Sequence, residues 1–166
     1  MQTTQEGSRQ LKRISAIGSL LKKIYRQYSN ELLSTLQRKG FTDLRPSFLE
    51  VLLFVCESDG PSIKEIGVAC GLKKQTMTSH LNELEKRGYL QRHVNEKDKR
   101  EQNIFLTAYG ERFKLSLMES ISELERTYSE RLGDVELDRV EHLLRHFFEK
   151  TGISEDFSEG EQLSIL

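Results

Sequence analysis

The sequence predicts a mainly α-helical fold carrying one small β-hairpin. Three observations lead there. Apolar residues recur at steps of three and four along most of the chain, the mark of helices with one buried stripe. Over Tyr89–Val94 and Asn103–Thr107 the stretches shorten to strand length, with a polar, charged segment from Asn95 to Gln102 between them. Turn residues at Gly40, Asp59-Gly60-Pro61, Gly71, Gly88 and Gly133-Asp134 separate the periodic stretches.

The elements follow in order. Ile14, Ile17, Leu21, Ile24, Tyr28, Leu32 and Leu36 share one face of a long first helix, which Gly40 stops. Pro46 suits the first turn of a second helix, whose inner face is Phe48, Leu49, Leu52, Leu53 and Cys56. Ser62 followed by Glu65 is a capping box, opening a short helix with Ile63, Ile66, Ala69 and Cys70 inward and Gly71 at its end. A further helix from about Lys74 to Arg87 stops at Gly88, and the hairpin follows. Tyr109, Phe113, Leu117, Ile121, Leu124, Tyr128 and Leu132 then mark a long helix, and Leu137, Val140, Leu144, Phe147 and Phe148 a last one.

Two short helices joined at Gly71-Leu72 and followed by a hairpin make a helix-turn-helix with a wing. At about 100° per residue, Met77, Leu81 and Leu84 of the second of these helices fall in one sector. Gln75, Ser79, Asn82 and Lys86 gather opposite, flanked by Thr76, Thr78 and Glu83. Short hydrogen-bonding side chains on that face suit base edges, Gln and Asn especially toward adenine. At the hairpin tip Lys97, Asp98, Lys99 and Arg100 place three cations and one acid far from any core, with Asp98 available to orient Arg100.

Charge supports the same reading once its distribution is followed. The 166-residue chain carries a formal net charge of only -1. Yet Lys73–Arg100 has eight cations against four acids, and Glu149–Leu166 one cation against five acids. A local basic patch matters more to phosphate than the total.

Other chemistries find little support. No phosphate-cradling glycine loop or nucleophile motif is present, so no enzyme activity and no cofactor are expected. Cys56 and Cys70 read as buried free thiols. His142 and His146 stand four apart, without a third ligand at a matching offset, so no metal is expected. No run approaches the ~18 apolar residues of a membrane span, and no signal-peptide core opens the sequence, which places the protein in the cytoplasm with no membrane partner.

From Asp43 to Thr107 the sequence resembles the MarR family of bacterial regulators. The likeness rests on the helix-turn-helix, Gly88-Tyr89-Leu90 entering the first strand, Arg92, the Asp98-x-Arg100 wing signature, and Leu106-Thr107 entering the next helix. One departure is Lys73, where the family commonly has a Ser or Thr helix cap. The resemblance implies a homodimer that reads a palindromic operator in double-stranded DNA, with Arg100 in the minor groove. It implies DNA contact by Lys73, Lys74, Gln75, Thr76, Thr78, Ser79, Asn82, Lys86, Arg92, Lys97, Asp98, Lys99 and Arg100. It also implies repression relieved by a small aromatic or lipophilic effector, for which Tyr25, Arg26, Tyr28, Phe54 and Phe113 are candidate contacts.

The organisation expected is an N-terminal dimerisation helix over 1–42, the winged helix-turn-helix over 43–107, C-terminal dimerisation helices over 108–150 and an acidic tail over 151–166. Dimerisation has an argument of its own, since the terminal helices carry more apolar surface than a small winged domain covers. Two alternatives stay open at this level: a winged-helix protein-interaction module, and a constitutive DNA binder without an effector.

Overall fold

The structure, a computed structural model, describes residues 4–152, with side chains described from Lys12 onward. The expected acidic tail beyond Gly152 lies outside the described residues. The described residues divide into two compact units, one ending at Leu124 and the other starting at Glu125.

In the first unit, α1 (Thr4–Arg38) precedes α2 (Pro46–Glu57), α3 (Ile63–Cys70) and α4 (Lys74–Lys86), then the strands β1 (Leu90–Val94) and β2 (Gln102–Leu106). The helix α5 (Ala108–Leu132) begins here. α2 is the central element, with Phe48, Leu49, Val51, Leu52, Val55 and Cys56 all buried. Around them close Leu32 and Leu36 of α1, Ile66 of α3, Met77, Leu81 and Leu84 of α4, and Phe113 and Leu117 of α5. Each such side chain, removed from water, stabilises the fold by about 1.5–3 kcal/mol. Phe41, Tyr89, Tyr109 and Phe113 form an aromatic group with ring centroids 4.9 to 6.4 Å apart, within the range of tilted and edge-to-face pairs.

The local signals of the sequence map onto these elements. The Ser62 side chain accepts from the Glu65 amide at 3.1 Å, and Glu65 accepts from the Ser62 amide at 2.7 Å, closing the capping box. Thr107 caps α5 by accepting from the Gly110 amide at 3.0 Å. α3 differs in one respect: Ile66 is buried and Ile63 and Cys70 are partly so, but Ala69, expected inward, is exposed. With only eight residues, α3 offers little more than two turns, and the core takes its middle.

The antiparallel hairpin pairs Leu90 with Leu106, Arg92 with Ile104 and Val94 with Gln102. It is anchored to the turn before α3. The Ile104 amide donates to the Pro61 carbonyl at 2.9 Å, Asn103 donates through its side chain to the Gly60 carbonyl at 2.6 Å, and Ser62 bridges to Asn103. Gly60 has φ +60, and a Cβ there would meet the Phe105 ring at 2.4 Å, so only glycine allows the wing to close against this turn. The α3–turn–α4 pair with this hairpin beside it is a winged helix-turn-helix.

From Lys12 to Gln27, α1 is largely solvent-facing, with Ile14 62 % and Ile24 61 % exposed. In the second unit, α6 (Asp134–Thr151) follows Gly133 and buries none of its residues. Its exposed apolar side chains include Val135, Leu143, Leu144, Phe147 and Phe148. No helix among the described residues is long and apolar enough to cross a membrane.

Candidate nucleic-acid interface

The site begins with how α4 is held. Met77, Leu81 and Leu84 are buried, as their shared sector requires, and this fixes the rotation of the helix about its axis. Gln75, Ser79, Asn82 and Lys86 are therefore exposed on the far side. Lys74, Gln75, Thr78, Ser79, Asn82 and Glu83 line an open groove of about 680 Å³ along it. Thr78 is half-buried and donates its hydroxyl to the Lys74 carbonyl at 2.9 Å, so of this set it is the one tied back to the helix. His80 lies on the inner side, edge-on to Phe48 with centroids 5.3 Å apart.

α4 starts without a side-chain cap. Lys73 holds the N-cap position with extended backbone (φ -65, ψ 149) and makes no capping hydrogen bond. The first amides of the helix consequently lack an intrahelical acceptor, as at any α-helix start, and no side chain takes them. Lys73, Lys74 and Thr76 are exposed around that end.

The wing tip is built by its own polar side chains. Asn95 accepts from the Lys97 amide at 2.8 Å and the Asp98 amide at 3.3 Å, while Asp98 accepts from the Arg100 amide at 3.0 Å. These are Asx-type turns, which pin the backbone from the side chain. Asp98 thus orients Arg100, as the sequence suggested, and does so through the Arg100 main-chain amide. Lys97, Lys99 and Arg100 are all exposed. Between α3, α4 and the tip lies a second cavity of about 690 Å³, lined among others by Lys64, Lys74, Thr78, Lys99 and Arg100.

Acid–base pairing sorts the charges of this surface. Arg87 pairs with Glu83 at 3.4 Å and with Asp43 at 3.8 Å, and Arg92 pairs with Glu85 at 2.8 Å. Both acids of α4 are thereby neutralised by cations of the module itself. Lys73, Lys74, Lys86, Lys97, Lys99 and Arg100 have no ion-pair partner among the described residues. Arg92 differs from the other predicted contacts. It is half-buried, and besides Glu85 it donates to the Asn82 side-chain oxygen. Glu85 was missed by sequence reasoning, because its partner lies seven residues on, across a turn and in another element, where no helical spacing rule reaches.

The residues expected at an effector site differ in their exposure and partners. Phe113 is fully buried in the aromatic group. Tyr25 donates to Glu50, Tyr28 and Phe54 are half-buried, and Arg26 is exposed. None of the five lines either of the two cavities described above. Burial pushes the Cys56 thiol up to about 11 and also raises Cys70, the opposite of an activated thiolate. Among the described residues no group of three His, Cys, Asp or Glu is placed to hold a metal.

Comparisons with known proteins bear on this geometry. The family model described as the MarR family matches residues 42–101. A search of curated proteins found no match. Among solved structures, a MarR transcriptional regulator from Methanosarcina mazei Go1 is similar at 20% identity and a TM-score of 0.71, covering 82% of this chain and 96% of that one. A MarR-family regulator from Rhodococcus sp. RHA1 is similar at 22% identity and 0.68, covering 85% and 98%. The transcriptional repressor CouR, solved on a 23-mer DNA duplex, is similar at 22% identity and 0.70, covering 82% and 94%.

Proposed function

We propose, from the match of residues 42–101 to the MarR family model, that the chain is a MarR-family homodimeric repressor, released from a palindromic operator by a small aromatic or lipophilic effector. The family model matched and the folds matched are those of transcriptional regulators, and the proposed role is regulation and not catalysis. One observation carries the assignment of the interface. The exposed Gln75–Ser79–Asn82 face lies on a helix whose acids are already paired, with unpaired cations at both its ends and on the wing tip.

Each part of that surface has a role in the proposal. Gln75, Ser79 and Asn82 meet base edges in a major groove, with Thr76 and Thr78 beside them. The uncapped start of α4 offers amides to a phosphate, aided by Lys73 and Lys74. Lys86, Lys97 and Lys99 contact phosphates, and Arg100 enters the adjacent minor groove, where A·T tracts concentrate negative potential. Asp98 serves by shaping the tip. CouR on its DNA duplex supports this mode of docking by fold likeness.

The dimer is proposed from the exposed apolar side chains of α1 and of α6, for which a second copy is the economical cover. A two-fold axis then spaces paired helices about 34 Å apart, one turn of DNA. For the effector, Tyr25, Arg26, Tyr28 and Phe54 remain as candidate contacts, while Phe113 is buried in the core. An effector that binds the wrongly spaced dimer better weakens DNA binding by that difference in affinity. This reading places the protein in the cytoplasm.

The test is binding to DNA from the region upstream of its own gene, at two salt concentrations and against excess competitor. Dimeric, competitor-resistant binding is expected. Affinity should fall by about 10³–10⁵ between roughly 50 and 200 mM salt if six to ten phosphates are contacted. Binding that competitor abolishes would reduce the protein to a nonspecific DNA binder, and no binding at either salt would favour a protein-interaction module.

A further inference from the structure

The Arg92–Glu85–Asn82 group has a consequence for what the recognition helix reads, one that rests on the DNA-binding function proposed above. Arg92 stands at the third position of β1, across the hairpin from Ile104. Its Nε meets Glu85 Oε2 at 2.8 Å, and its second terminal nitrogen reaches the Oδ1 of Asn82. A guanidinium has five N–H donors and no acceptor. The atom of Asn82 that faces it is therefore the carbonyl oxygen, and the amide nitrogen is turned the other way. Asn82 itself is exposed and lines the open groove of α4.

An asparagine free to rotate pairs with adenine through both atoms, oxygen to N6 and nitrogen to N7. Here one of the two lone pairs of the oxygen accepts a charge-assisted hydrogen bond, stronger than its neutral counterpart, and the Glu85 contact at Nε helps hold the guanidinium, so the oxygen stays turned toward Arg92 and the amide donors away from it. We infer that Arg92 is a positioning residue that makes Asn82 a fixed hydrogen-bond donor, directed to acceptors on a base edge. Guanine, with N7 and O6 both acceptors in the major groove, is the preferred partner, and cytosine, with its N4 donor, is the one rejected. Arg92 acts through Asn82 and not on phosphate, with its Nε and Nη2 both engaged within the protein.

The experiment selects operators from a randomised half-site with the full-length wild-type protein and with Asn82→Ala, Arg92→Ala, Arg92→Lys and Glu85→Gln. For each it also measures the slope of log affinity against log salt, and thermal unfolding to show that the variant is folded. Wild type should select guanine at one position of the half-site. Asn82→Ala and Arg92→Ala should both relax that same position, by roughly fivefold or more, and the double variant no further than Asn82→Ala alone. Arg92→Lys should behave like Arg92→Ala, since an ammonium cannot bridge both partners as a fork does. Glu85→Gln, the mildest change, should relax the position in part. The salt slope of Arg92→Ala should match wild type. A slope smaller by about one, with affinity lowered equally on all sequences, would mark Arg92 as a phosphate contact and overturn the inference. So would adenine selected at the Asn82 position, or base preference left intact in both Arg92 variants. A wild-type protein with no base preference would overturn the DNA-reading function, and this inference with it.

Discussion

At the scale of single residues, the side chains that face inward from α4 matter as much as those that face out. His80 has a buried Nδ1 with no hydrogen-bond partner and lies edge-on to Phe48. Burial, and next the Arg45 cation, hold its pKa below 6.5, against a smaller opposing pull from Glu50. The unfolded chain therefore takes up the proton more readily than the folded one. The sign follows: stability is present above the ordinary histidine range and declines as pH falls through about 6.5 toward the folded value. Urea midpoints measured from about pH 8 down to about pH 5 should fall further for wild type than for His80→Gln. Parallel curves would mean that His80 is solvated in either state. Asn82, two residues on along α4, was legible as an exposed polar residue from helical spacing alone. That its oxygen is occupied was not legible, because the occupant comes from a strand.

At the scale of elements, the two helices of the helix-turn-helix differ in how they begin. α3 has a complete capping box at Ser62 and Glu65, while α4 begins at Lys73 with no side-chain cap. Ser62→Ala should cost about 1 kcal/mol of unfolding free energy, and Lys73→Ser should add up to about 1 kcal/mol. On DNA the second substitution should act in the opposite direction, since the new hydroxyl competes with phosphate for the same amides and one cation is lost. Denaturant unfolding and DNA binding of the two variants check both halves. If Lys73→Ser gained stability and lost no affinity, the start of α4 would not be a phosphate contact. The capping box of α3 was readable from a four-residue pattern, as were the bounds of α4 to within a residue, whereas α1 begins ten residues before the first apolar position of its stripe and α6 three before its own.

At the scale of the whole molecule, the question is what covers the apolar side chains that a single chain leaves exposed. On α6, Leu144 is 43 % and Phe148 73 % exposed, one turn apart on the same helix. Because neither is buried in the single chain, Leu144→Glu with Phe148→Glu should leave the winged helix folded. The double variant should sediment as a monomer where wild type is a dimer, and its affinity for a palindrome should drop toward that for a half-site. A variant that remained dimeric would assign the interface elsewhere and leave α6 as solvent-facing surface.

The order of elements, the caps and the inner and outer faces of α4 were determined by the sequence alone, because each depends on neighbours within a turn or two. Period, capping residues and glycine stops are local physics, and the same is true of the polar tip between the strands. The tertiary structure decided the rest. It placed Phe113 among Phe41, Tyr89 and Tyr109 and so in the core. It set the wing against Gly60 and Pro61, a contact more than forty residues long in sequence. It also paired Arg92 with Glu85 and Asn82, withdrawing a cation expected on the surface. A spacing rule carries no information about which strand returns beside which helix, and that return sets which charges are spent inside the protein and which remain for a partner.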